Sequence, residues 1–204
     1  GAVRFRGAEV LDTFQTFVNP GRRLSDFIKR YTGITQADVD RAPPFSSVAG
    51  TLASFIGSNP FVGQNISFDL GFLSKRGLRL SNPKTDTWDM AFVLLPGHSD
   101  YSLGGIARGL GLVHSRPHRA VEDATITKDV FLSLGEKLSA LDVNTLAELE
   151  RLANRSSWVL SYLLSRLAAY EVGSKSSALI SAGLKEEPRV GVTGMDTEEI
   201  GRRL

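Results

Sequence analysis

The chain reads as an α/β protein in which helices cover a mixed sheet, and three observations carry that reading. Short apolar segments of strand length alternate with segments of helical spacing from residue 1 to about residue 134. Turn chemistry separates them at Asn19-Pro20-Gly21, Pro43-Pro44 and Pro96-Gly97. A hydrophobic content of 42% over 204 residues is ample for a packed core.

Taken in order, Ala2 to Phe5 and Val10 to Val18 are rich in β-branched and aromatic residues around Arg6-Gly7-Ala8-Glu9, which predicts a β-hairpin. Thr35 is placed to cap a short helix over Gln36–Val39, which Pro43-Pro44 stops. Phe45, Val48, Leu52, Phe55 and Ile56 recur at helical spacing up to Gly57. Pro60 to Gly63 predicts a short strand, and Phe68 to Leu73 continues as helix. Lys84 to Thr87 ends a second short strand, and Trp88 to Leu95 is helical up to Pro96-Gly97. Leu103, Ile106, Ala107 and Leu110 mark a helix closed by Gly111, and His118 to Leu134 forms a long one. The character changes near residue 135. Asn144–Leu152 and Ser157–Ala169 predict two further helices, and Thr145 and Glu148 have capping-box spacing. Residues 173–196 read as a Ser-, Gly- and charge-rich linker, with a weak helix over Thr197–Arg203. The domain expectation is therefore 1–134, a helical extension over 135–172, and a linker over 173–204 toward a following domain.

Composition excludes several functions. Without cysteine there is no disulfide, thiolate zinc site or cysteine nucleophile, which favours a reducing cytoplasm. No signal peptide or long apolar run suggests a membrane. The net charge of +2 is uneven. Residues 1–133 carry 15 Lys and Arg against 12 Asp and Glu, and residues 134–204 carry 9 against 10. Arg22, Arg23, Lys29 and Arg30 form one basic cluster, and Lys75, Arg76 and Arg79 another. Such clusters suit a phosphate backbone, and equally an ordinary solvated surface.

The most informative residues are two carboxylates and one imidazole. Asn65-Ile66-Ser67-Phe68-Asp69 places Asp69 where a strand gives way to a helix, a position that opens on a crevice in α/β sheets. Helix capping is the other role open to Asp69. His118 precedes Asp123 by five residues, so the two converge if His118 lies just before the helix and Asp123 points inward from its second turn. Such a set can hold a divalent metal, and His118 can take a proton from an attacking water. Glu122 is expected to face outward, while His98 and His114 lie in turn-like surroundings and are set apart from catalysis.

The order Asn65-x-x-x-Asp69, then Asp86-Thr87, Tyr101-Ser102-Leu103-Gly104-Gly105 and His118-x-x-x-x-Asp123-Ala124 resembles the DEDDh 3′–5′ exonucleases. It is most similar to the epsilon-type proofreading exonuclease of bacterial DNA polymerase III. Val10 to Phe14, Val18 to Gly21 and Gly33-Ile34-Thr35 also fit, and the resemblance spans residues 1–134. It implies an RNase H-like fold and a two-ion site for Mg2+ or Mn2+, with Asp69 and Asp123 as metal carboxylates and His118 as general base. It also implies that Asn65 and Phe68 lie beside the terminal nucleotide. The implied substrate is single-stranded DNA or a DNA 3′ end; an RNA substrate, or a catalytically inactive nucleic-acid- or partner-binding module, are the alternatives.

The family's first motif, Asp-x-Glu on the central strand, precedes a Gly-Ala-Val ending, and here Gly1-Ala2-Val3 is that ending. Glu9 and Asp12 have the wrong order and spacing to replace it. The expectation is therefore a sheet lacking its central first strand, and a chain that is inactive and poorly stable by itself. The tail, with its Leu-rich helix, Ser156-Ser157-Trp158 turn and charged linker, resembles the junction in proteins that fuse this exonuclease to a DinG-like helicase. A covalently linked helicase or polymerase partner is implied; the alternative is that Trp158, Leu160, Leu163, Leu164 and Leu167 simply cover the exonuclease or a partner.

Overall fold

A computed structural model describes residues 1–114, 118–156, 158–173 and 189–192. The expected helix over Thr197–Arg203 and most of the expected linker lie outside the described residues.

The hairpin forms as β1 (Ala2–Arg6) and β2 (Glu9–Phe14), antiparallel, with Gly7 at φ 55° in the turn. Three helices follow: α1 (Asp26–Thr32), α2 (Gln36–Asp40) and α3 (Phe45–Ile56). Helix α1 is not among the elements the sequence predicts, although Ser25 caps its first turn and Gly33, at φ 68°, ends it. Thr35 caps α2 reciprocally with Asp38, as its spacing suggests. Next come β3 (Phe61–Gly63), α4 (Ile66–Lys75), β4 (Lys84–Asp86), α5 (Thr87–Leu94), α6 (Leu103–Gly109) and α7 (Ala120–Ser139). The extension is α8 (Val143–Ser156) and α9 (Ser161–Gly173). Asp142 accepts the amide and hydroxyl hydrogens of Thr145, so the cap of α8 lies three residues upstream of the expected Thr145–Glu148 box. Glu148 instead pairs with Arg151.

Strand β5 (Arg189–Val192) falls in the stretch read as linker and takes the centre of a five-stranded sheet of order β2-β1-β5-β3-β4. It runs antiparallel to β1 and parallel to β3, pairing Ala2 with Val192 and Phe61 with Val190. The break expected between the hairpin and the second half is thus closed from the other end of the sequence. Gly191 permits this fit, because a Cβ there would stand 3.2 Å from the Ala124 carbonyl oxygen and 3.3 Å from Val3. Arg189, buried, lies over the Phe131 ring.

Alternation along the strands divides the core between two faces. Val3, Phe5 and Val62 pack with Met90 and Ala91 of α5, Ile106 and Ala107 of α6, and Ala124, Val130 and Phe131 of α7. Ala2, Phe61 and Val190 face Leu52, Phe55 and Ile56 of α3 and Leu73 of α4. Leu160, Leu163, Leu164 and Leu167 join the first cluster, and Trp158 donates its indole N–H to Asp89 at 3.0 Å. The helical extension therefore covers the sheet's α7 side and shares its core, which is the second of the two roles open to its leucines.

Candidate active site

The two sequence-predicted carboxylates occupy equivalent places. Asp69 lies in the first turn of α4 and Asp123 in the first turn of α7, not in the second turn expected for it. A helix N-terminus favours negative charge, so both ends suit carboxylates. Both side chains are buried, and both act on the amine of Gly1, which packs against Ala120 and Val121. Burial lowers the pKa of that amine, and the fields of Asp69 and Asp123 oppose the shift. Asp69 does not cap α4; that position belongs to Asn65.

The entry to α4 is held from the neighbouring strand. Asp86 ends β4 and caps α5 by accepting from the Trp88 amide at 2.9 Å. The same carboxylate accepts from the Asn65 and Ile66 amides at 2.9 Å each, so one side chain fixes the starts of two helices. Burial raises the pKa of Asp86, and these three amides pull against that rise. Asn65 is thereby held in the left-handed region at φ 53°, with its side chain exposed. Phe68, one residue before Asp69, is 43% exposed and free to meet a ligand face.

Around Asp123 the arrangement differs from the expected one. His118 sits just before α7 at φ 68°, and its backbone N–H donates to Asp123 Oδ1 at 3.2 Å. Its imidazole, however, lies on the Tyr31 ring of α1 with centroids 3.9 Å apart. The imidazole that meets Asp123 is His114, with Nε2 2.8 Å from Oδ1 and only 10% of its side chain exposed. The sequence sets His114 apart from catalysis, since no helical or strand spacing links it to a residue nine positions further on. Burial raises the pKa of Asp123, and the His114 bond opposes this most strongly. Glu122 is half-buried, not turned fully outward.

Asp69 and Asp123 offer the hard oxygen ligands that a divalent cation takes. Among the described residues, though, no group of three or more His, Asp or Glu side chains gathers as a metal site. Two carboxylates do not suffice for a two-ion centre, so the described residues by themselves do not fit that group.

The comparisons with known proteins bear on what this geometry belongs to. The family model described as RNase_T, Exonuclease, matches residues 1–131. The chain is 34% identical over 168 residues to the 3′–5′ exonuclease DinG of Bacillus subtilis (strain 168), covering 80% of this chain and 18% of that protein. It is 35% identical over 156 residues to the PolC-type DNA polymerase III of Clostridium perfringens (strain 13 / Type A), covering 72% of this chain and 11% of that protein. It thus spans less than a fifth of either. With the DNA polymerase III subunit epsilon of Aquifex aeolicus (strain VF5) it shares 35% identity over 142 residues, 67% of this chain and 70% of that one. Among solved structures, exonuclease X in complex with 5′ overhanging duplex DNA has a TM-score of 0.53 at 24% identity, covering 65% of this chain and 81% of that one. The fold is accordingly that of the RNase H-like exonucleases. Exonucleases of this kind generally use divalent metal ions. The motif order read from Asn65 to Asp123 lies inside the matched span, and with the epsilon subunit matched over most of its length, this chain belongs to the RNase_T exonuclease family.

Proposed function

We propose that this domain removes nucleotides from DNA 3′ ends, with His118 as general base and Asp69 and Asp123 as two of the metal-binding carboxylates. The observation that carries the reading is the pair of buried carboxylates Asp69 and Asp123, each in the first turn of its helix and both beside the start of β1. His118 is tied to Asp123 through its backbone, and the role we assign it requires its imidazole to leave Tyr31 and turn toward Asp123. Asn65 and Phe68, exposed beside Asp69, are the residues we assign to the terminal nucleotide. Mg2+ or Mn2+ would supply charge to polarise the scissile phosphate. The further carboxylates needed are those of the family's Asp-x-Glu strand.

We place the domain in a replication or repair protein of the cytoplasm, covalently joined to a helicase or polymerase. The small share of the DinG and PolC relatives that it spans supports this. No described helix is long and apolar enough to cross a membrane. We take residues 1–134 as the exonuclease domain, 135–172 as its helical cover and 173–204 as the passage toward a following domain, β5 being a part of that passage recruited into the sheet.

The test is release of 3′-terminal nucleotides from single-stranded DNA by a chain extended upstream through an Asp-x-Glu strand, with and without EDTA. His118→Ala should slow release by about 10²–10⁴-fold, the range for a lost general base. Asp123→Asn should slow it further. Unchanged rates in both variants would remove the assignment. One observation favours a second reading, a binding module without catalysis: the described residues bring together only two carboxylates at this place. Tight binding of DNA by the extended chain with no release under any divalent ion would select it. Release from RNA but not DNA would select the RNA substrate.

A further inference from the structure

On α5, whose start Asp86 holds together with the start of α4, and on the segment after it lies a group of aromatic rings that the proposed chemistry does not use. Trp88 and Phe92 are four residues apart on α5, 38% and 58% exposed, and stack with centroids 5.4 Å apart and planes 12° from parallel. Tyr101 adjoins both rings, 6.3 Å from Trp88 and 5.7 Å from Phe92. Packing does not require this exposure, since Met90 and Ala91 already bury the core side of α5. Asp89, next to Trp88 in sequence, is also turned away, to Trp158 of the extension.

Position decides what such rings serve. The Trp88 and Asn65 amides both donate to Asp86 Oδ1 at 2.9 Å, so the two nitrogens are no farther apart than twice that distance. Gln64, at the exit of β3, accepts from the Thr87 hydroxyl at 2.6 Å and donates to the Tyr101 carbonyl at 2.9 Å. The rings are therefore fastened to the segment that carries Asn65, Phe68 and Asp69. Tyr101 is fixed in addition by its hydroxyl, which donates to the Leu95 carbonyl at 2.7 Å.

We infer that Trp88, Phe92 and Tyr101 form a stacking platform for the bases of single-stranded DNA, continuous with the nucleotide site at Asn65 and Phe68. This rests on the exonuclease reading and adds to it where the strand runs away from the 3′ end. Trp88 and Phe92 keep ring surface exposed while Tyr101, packed against the core, backs them. An exposed ring takes any base because every base has a π-face, so the platform grips the strand without reading its sequence. A protein partner is the competing occupant; it would have no reason to be fastened to the residues flanking Asp69.

The experiment uses the chain extended upstream through an Asp-x-Glu strand, which is the wild type here. It measures binding of a short labelled oligodeoxythymidylate by fluorescence anisotropy in EDTA, so that cleavage does not intervene, beside an abasic strand of the same length. Trp88→Ala and Phe92→Ala should each weaken Kd about tenfold for the oligonucleotide, the loss expected for one base–aromatic stack. Trp88→Phe should recover most of it, and the abasic strand should bind all variants alike. Circular dichroism melts confirm that these exposed truncations leave the fold in place. If the wild type excises 3′ nucleotides while both alanine variants keep its Kd, the platform falls and the exonuclease reading stands. An equal loss for the abasic strand also overturns the platform, since the rings would then not be stacking on bases. A wild type that neither excises nor binds overturns the exonuclease reading, and the platform with it.

Discussion

Asp86 is the side chain on which the site's geometry turns, and Asp86→Ala is the substitution that exposes its role. It would leave three amides without their acceptor: that of Ile66, in a buried hydrogen bond, and those of Asn65 and Trp88, in half-buried ones. An unsatisfied buried donor costs about 1–3 kcal/mol. A lost helix cap costs roughly 1 kcal/mol. With two helix starts affected, a total on the order of 3 kcal/mol is expected, before any gain from removing a buried charge. For a domain of this size that lowers Tm by on the order of 10 °C. Asp86→Asn retains one acceptor oxygen, so it should fall between the two. Urea melts of the three proteins measure the stability, and nucleotide release by the extended chain measures the coupled effect on Asn65 and Asp69. If Asp86→Ala melts with the wild type, the carboxylate does not hold the two helix starts together, and the account of how α4 is aimed fails.

Two other predictions concern the buried acid at the site and the centre of the sheet. Burial raises the folded-state pKa of Asp123, so its ionised form costs stability, and that cost is relieved as pH falls through the raised value toward the ordinary carboxylate range. Asp123→Asn should therefore be at least as stable as the wild type at neutral pH, with the difference shrinking on acidification. Urea denaturation across that window measures this, and a variant that is clearly less stable at neutral pH contradicts it. Gly191→Val should press a side chain against the Ala124 carbonyl and Val3, costing about 1–3 kcal/mol. Faster hydrogen exchange in β1 and β3 together would accompany the loss; unchanged exchange would mean that β5 does not join them.

Much of this was legible in the residues. β1, α3, β3 and α7 follow from strand and helical spacing between clear turn signals, because their apolar positions are largely their buried ones. By contrast, β2, exposed along most of its length, and β4, which is Lys84-Thr85-Asp86, follow from their place between turn signals. The places of Asp69 and Asp123 followed from the boundaries of those elements. The central strand did not. Arg189-Val190-Gly191-Val192 is short, glycine-containing and begins with an arginine, and only the slot between β1 and β3 makes it a strand. Helix α1 carried its Ser25 and Gly33 signals, but its charged residues read first as a basic cluster. Neither the exchange of His114 for His118 at Asp123 nor the double cap by Asp86 could be read, since both depend on long-range distances that no local pattern records.

The claim that Asp69 and Asp123 form one cation-attracting site is tested most directly by titrating Mn2+ into the isotopically labelled chain and mapping the paramagnetic broadening. The account predicts that the first signals to broaden are those of Asp69, Asp123 and the adjoining Ala120 and Ala124, and that Asp69→Asn or Asp123→Asn restores them. Broadening centred elsewhere, or unchanged in both variants, would contradict it.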